Sequence, residues 1–178
     1  MDEELDTVTL IDHEYACFNF RGFELGNHFC EYIGFDIDMT KYPPKEKQMP
    51  FLRAYLESYL LEQARKAKKE RDERKRKKQL DRKRREKTEE KEEIEGEGEE
   101  EPVVVVTEEM VERLYVEANK YSLASHLHWG IWGLAQARIS TIEFDYFTYA
   151  RKRLVSYVQA KEAMLALTVP LLSSGMGN

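Results

Sequence analysis

The chain has 178 residues, 28 basic and 34 acidic, for a formal net charge of −6. Charged residues make up 35% of it, against about a quarter in an ordinary globular domain. The excess is local: residues 62–101 carry 16 of the basic and 15 of the acidic side chains, and the remainder has the composition of a soluble fold. No run approaches the roughly 18 apolar residues of a membrane-spanning helix, and residues 1–6 are acidic where a secretion signal is basic and then apolar. Two cysteines, Cys17 and Cys30, are too few for a disulfide framework or a cysteine zinc site. A reducing, cytoplasmic setting without a membrane span is expected.

Thr7, Val8, Thr9, Leu10 and Ile11 form a β-branched apolar run that ends at Asp12 and predicts a short buried strand. Gly22, Gly26 and Asn27 read as punctuation, followed by a short helix over 27–33 that carries Phe29, Tyr32 and Ile33. After a loop at Lys41, Tyr42, Pro43 and Pro44, the residues Met49, Leu52, Tyr55, Leu56, Tyr59 and Leu60 recur at helical spacing. A helix is predicted to begin near Gln48, with Pro50 in the first turn where a missing N–H costs nothing. The charged block then divides by sign, net +9 over 62–87 and net −8 over 88–101. Almost without apolar residues, it is either a solvated continuation of that helix, supported by pairs four apart, or disordered.

Thr107 precedes Glu108 and Glu109, an N-cap with acidic residues in the first turn. Met110, Leu114, Tyr115, Ala118, Tyr121, Leu123, Leu127 and Ile131 predict one long helix, or two abutting ones, over 108–139. Phe147, Ala150, Leu154, Tyr157 and Val158 predict a further helix over 144–166, ahead of a frayed tail. The fold expected is mainly α with a short β element: a segment 1–61, a charged insertion 62–101, helices over 102–166 and a flexible tail 167–178.

Several side chains carry candidate chemistry. Asp12 ends the predicted strand and Glu14 lies on the same side if the chain stays extended. Two such carboxylates suit Mg²⁺, a hard octahedral cation, and the competing reading is a turn aspartate bonded to its own backbone. Trp129 and Trp132 share a helix face, as do Tyr146 and Tyr149 on the next helix. Aromatic faces clustered in this way either fill a core or enclose a quaternary ammonium by cation–π attraction. Glu31, among aromatic neighbours, is either the anionic partner of such a cation or a solvated helix position. His126 and His128 are two apart and point to different sides of a helix, and His28 with Glu31 lacks a third ligand, so no histidine metal site is expected. The basic run 71–85 has no interleaved aromatics for base stacking and abuts the acidic run, so neutralisation within the chain is expected rather than nucleic-acid binding.

Two stretches make the sequence specific. LIDHEY at 10–15 followed by NFRGFELGNHFCE at 19–31, and LASH at 123–126 followed by WGIWGLAQARISTIEF at 129–144, closely resemble the choline/ethanolamine kinase family. The resemblance implies the largely helical C-terminal lobe of a protein-kinase-like, aminoglycoside-phosphotransferase-like fold. It also implies ATP- and Mg²⁺-dependent phosphorylation of choline or ethanolamine in phospholipid biosynthesis. By this resemblance Asp12 corresponds to the metal-binding aspartate, and Glu14 assists the metal or anchors a loop. Glu31, Trp129, Trp132 and Tyr149 line the amino-alcohol pocket, with Tyr15, Phe144 and Tyr146 contributing. The family's Gly-rich loop, its ATP-anchoring lysine and the H-x-D-x-x-x-x-N segment with the catalytic base are expected before Met1. No catalytic base is therefore assigned, and a C-terminal fragment is expected. Arg21, Gly22, Phe23, Cys30 and Glu31 lean the substrate toward choline, whereas Tyr32, Ile33 and Gly34 leading to Tyr42 and Pro43, with Thr141, Ile142, Glu143, Phe144 and Asp145, lean it toward ethanolamine. Choline is the expected acceptor because the aromatic set is intact. Relatives are often dimeric, so a homodimer is compatible with the resemblance. The rival expectation is an inactive pseudokinase or interaction module whose charged segment binds a partner.

Overall fold

The computed structural model describes residue 9, residue 11, residues 15–86 (without the side chains of 82–86) and residues 102–170. Four helices make up most of it: α1 (Arg21–Glu31), α2 (Lys45–Glu86), α3 (Glu108–Ile139) and α4 (Tyr146–Ala166), with one 3-10 turn at Met39–Lys41. Among the described residues there is no strand. The strand expected over 7–11 falls mostly outside them, as do Asp12 and Glu14, while Thr9 and Ile11 have no regular structure. None of the described helices is long and apolar enough to cross a membrane.

Two compact units divide the chain, and α3 contributes to both. The first holds the described residues of Met1–Tyr42 and Glu117–Ala166. Here α1 begins at Arg21 and ends at Glu31, six residues earlier than the 27–33 helix expected from sequence and two residues short of its end. The correction has a steric cause. Gly22 and Gly26 are one helical turn apart on the face that meets α3, and they permit close approach instead of breaking the helix. A Cβ at Gly26 would stand 2.5 Å from the Ala118 carbonyl oxygen and 2.7 Å from the Ser122 amide nitrogen; one at Gly22 would collide with the Tyr121 ring. Leu25, Phe29 and Cys30 are buried alongside, and Arg21 donates to both carboxylate oxygens of Glu117, with Nη2 at 3.0 Å.

Beyond α1 the chain turns twice through left-handed backbone, at Gly34 (φ 63°) and at Ile37 (φ 55°). A β-branched residue in that region costs about 1–3 kcal/mol. The cost is offset locally: Ile37 is buried with Ile33 against Tyr149, and the Asp38 N–H donates to the Ile33 carbonyl at 3.0 Å. Asp38 then accepts from the Thr40 hydroxyl at 2.6 Å and the Thr40 N–H at 3.1 Å, bonds that hold its carboxyl below the usual range.

The second unit holds the described residues of Pro43–Val116 and Leu167–Asn178. Leu52 and Leu56 from α2 and Val111, Leu114 and Val116 from α3 are buried apolar residues within it. Lys45 pairs with Glu112 at 2.7 Å, and Arg53 pairs with Glu108 and donates to the Val106 carbonyl at 3.3 Å. Helix α2 starts at Lys45 rather than near Gln48. The Pro44 carbonyl already accepts from the Gln48 amide, and the Gln48 side chain donates to the Pro43 carbonyl at 2.7 Å. Pro50 therefore stands inside the helix, not in its first turn. It is exposed, so the Glu46 carbonyl that loses its partner can be hydrated.

Helix α2 runs on unbroken to Glu86, which decides for a helix over 62–86; residues 87–101 lie outside the described part. From 61 to 81 no residue is buried, and pairs four apart such as Glu62–Lys66 (3.4 Å) and Glu70–Arg74 (3.9 Å) lie along it. Helix α3 is a single helix over the span predicted from sequence, with Thr107 as its cap: its hydroxyl accepts from the Met110 N–H at 3.3 Å. Helix α4 begins at Tyr146, leaving Phe144 in the preceding turn.

Candidate functional site

Glycine at 26 brings α1 onto α3, and the turn after α3 carries the chain directly into α4. Together these elements gather aromatic side chains from four stretches of sequence. Trp129 and Trp132 meet edge-on with ring centroids 5.3 Å apart. Tyr146 and Tyr149 stand against Trp132 at 5.6 and 6.4 Å. Phe144 closes on Tyr146 at 4.8 Å and on Tyr149 at 5.9 Å, and Tyr15 stands edge-on to Trp129 at 6.0 Å.

Burial is graded across the cluster, whose inner side joins the core formed by Ile33 and Ile37. Tyr146 and Tyr149 are buried, at 9% and 6% exposure, and form the floor, while the two tryptophans are half-buried walls. Tyr15, Phe144 and Phe35, at 58%, 38% and 76%, form an exposed rim. Both indole N–H groups are bonded within this unit, Trp129 to Asn27 Oδ1 at 2.6 Å and Trp132 to the Tyr15 hydroxyl at 3.2 Å. Ser125 donates to the same Asn27 oxygen at 2.8 Å. These bonds fix the planes of the two indole rings.

Beneath the floor lies Arg153, whose Nε donates to the Tyr149 hydroxyl at 3.0 Å and whose guanidinium carbon sits 5.3 Å from the Tyr149 ring centre. Its Nη2 is 3.8 Å from Glu31. Burial pushes the Tyr149 hydroxyl above its usual range, with Arg153 partly opposing and the Glu31 charge adding to the rise. Glu31 thus acts on the cup floor electrostatically. Cys30 and His126 lie close by, Sγ to Nε2 at 3.9 Å. Burial raises the thiol to about 11 and lowers the imidazole to about 4, so both are neutral at pH 7.

The structure therefore brings Glu31, Trp129, Trp132, Tyr149, Tyr146, Tyr15 and Phe144 into one cluster. Asp12 and Glu14 lie outside the described residues, and among those described no three His, Cys, Asp or Glu side chains converge. No described residue is therefore assigned to a metal. Sequence reasoning missed Phe35, Asn27, Ser125 and Arg153. Arg153 follows Tyr149 by four positions, the spacing at which helix side chains meet, and that signal was available. Phe35 lies in a turn outside any periodic pattern and gave none.

Comparison with known proteins places this geometry. The family model described as choline/ethanolamine kinase matches residues 1–158. The chain is 36% identical over 167 residues to ethanolamine kinase of Drosophila melanogaster, covering 93% of this chain and 24% of that protein. It is 37% identical over 170 residues to ethanolamine kinase 1 of Homo sapiens, covering 95% and 29%. With probable ethanolamine kinase B of Dictyostelium discoideum it shares 38% identity over 166 residues, covering 93% and 35%. It spans roughly a quarter to a third of the length of these relatives. With the match running through both motif stretches and the turn that carries Phe144, the chain belongs to the choline/ethanolamine kinase family.

Proposed function

We propose that this chain supplies the amino-alcohol site of an ATP-dependent kinase, with ethanolamine as the favoured acceptor and choline as the alternative. The observation that carries the reading is the aromatic cluster itself: Tyr15, Trp129, Trp132, Phe144, Tyr146 and Tyr149 meet edge-on, and the Glu31 carboxylate stands 3.8 Å from the Arg153 that bonds the Tyr149 hydroxyl. An ammonium group there gains cation–π attraction from several rings, worth up to about 2 kcal/mol when desolvated. Glu31 adds charge attraction. The relatives' names support ethanolamine, whereas the full aromatic set supports choline, whose methyl groups bury more apolar surface.

In this reading the helices belong to the C-terminal lobe of a kinase-like fold. Asp12 and Glu14 would hold Mg²⁺, which would supply positive charge against the phosphoryl group being transferred. The residues of the cup orient the substrate and exclude water from its ammonium end. The test is a chimera in which this chain replaces the matching segment of human ethanolamine kinase 1. Phosphorylation of ethanolamine with a higher kcat/KM than choline is the expected result, and Asp12→Ala in the chimera should abolish it. A folded chimera that binds neither amino alcohol would refute the reading.

A further inference from the structure

Arg153 is left without a role by the amino-alcohol reading, yet it is the cup's nearest fixed charge. Its side chain is 3% exposed, and the carboxylate it pairs with, Glu31, is 60% exposed. A guanidinium is retained in such a place only when it is bonded and paired, because desolvation otherwise makes it costly. Its neighbours Cys30 and His126 are neutral and supply no counter-charge. Its Nη1 is buried without a hydrogen-bond partner, and the rest of the group meets the Tyr149 hydroxyl and ring, the Cys30 thiol, and Glu31 at 3.8 Å.

We propose, resting on the amino-alcohol reading, that Arg153 is a positioning residue for ammonium recognition. One guanidinium holds Tyr149 by its hydroxyl at the floor and tethers the Glu31 carboxylate at the edge. Both cation-attracting groups are then set before the ligand arrives. Glu31, more than half exposed on a flexible side chain, would otherwise lose rotamer freedom on binding, and pre-ordering removes that cost. Arginine suits the task because its planar fork reaches two partners in different directions, whereas an ammonium is a point charge.

The chain's two tryptophans are Trp129 and Trp132, so fluorescence excited selectively at the indoles, at a wavelength its ten tyrosines do not absorb, reports the cup. The ligands are ethanolamine, choline and 3,3-dimethylbutan-1-ol, the neutral isostere of choline. Arg153→Met should weaken both ammonium ligands about fivefold or more while leaving the neutral alcohol within about twofold. Glu31→Gln added to Arg153→Met should cost less than Glu31→Gln alone, because an untethered carboxylate contributes less to holding the cation. Equal losses for cation and neutral alcohol overturn the role, as does tighter cation binding once the guanidinium is gone. If Arg153→Met fails to fold by circular dichroism, Tyr149→Phe carries the test, because it keeps the ring and removes the tethering hydroxyl. It should weaken the ammonium ligands selectively by about threefold, and an unselective or absent change overturns the inference. If the unsubstituted chain responds to neither ammonium ligand, the amino-alcohol reading falls and this inference with it. A response that the variants reduce unselectively removes this inference only.

Discussion

In α1, five of eleven residues are buried and two are glycine, whereas over 61–81 of α2 no residue is buried and fifteen of twenty-one carry charge. By intrinsic propensity α1 should be the weaker helix, since glycine, asparagine, phenylalanine and histidine all rank below lysine, arginine and glutamate. It exists because docking on α3 buries Leu25, Phe29 and Cys30. The distal part of α2 has the reverse balance: good helix formers, pairs four apart, and no buried residue. One helix is made by its neighbour, the other by its own sequence. The first kind holds Asn27 against the Trp129 indole and Glu31 beside Arg153.

The contrast can be broken most forcefully at Gly26. Gly26→Leu puts a side chain where the α3 backbone stands and should destabilise the fold by about 3 kcal/mol or more, read as a lowered urea midpoint with loss of near-UV signal. Trp132→Ala should cost about 2 kcal/mol, less than a fully buried aromatic, and should raise the KM for the amino alcohol more than that for ATP in the chimera. Equal effects on both would argue against the cup as the ammonium site.

A third measurement uses pH. The His126 imidazole titrates near 4 in the fold and at an ordinary 6.5 when unfolded. Above 6.5 it is neutral in both states, so its contribution is fully present there. As pH falls below 6.5 the unfolded state gains a proton that the folded state refuses, and stability is lost until the folded value is reached. By about pH 5.5 the loss should be about 1.4 kcal/mol, and His126→Asn should flatten the wild-type slope by that amount. The smallest effect belongs to the charged helix. Arg74→Pro should lower the far-UV helix signal yet shift the main unfolding transition by less than about 0.5 kcal/mol. A large shift would mean that this stretch does carry packing.

Much of this was legible in advance. Helix α3 was marked by an N-cap at Thr107 and a long apolar period, and α4 by its helical spacing. The stripe expected for α4 is nevertheless not its buried face: Phe147 and Val158 are exposed, while Tyr146, Tyr149, Ala150, Arg153 and Ser156 are buried. The sharing of faces by Trp129 with Trp132 and by Tyr146 with Tyr149 followed from helical spacing alone. Helix α1 was misplaced because a glycine that breaks a helix and one that lets two helices touch look alike until the partner is known. Arg153 was overlooked for the same reason: charge at a helix position reads as solvent-facing, and only the tertiary fold turns it inward. The length of α2 hung on a balance between ion pairs and disorder that composition does not decide.

Ile37 ties the turn to the cup. Asparagine would accept that left-handed backbone more readily, but it would leave a void where the isoleucine side chain backs Tyr149. Relaxing the loop and keeping the binding end deep are therefore opposing demands on one codon. Drift in substrate preference among such proteins should show up as paired changes at this turn and at the ring it supports.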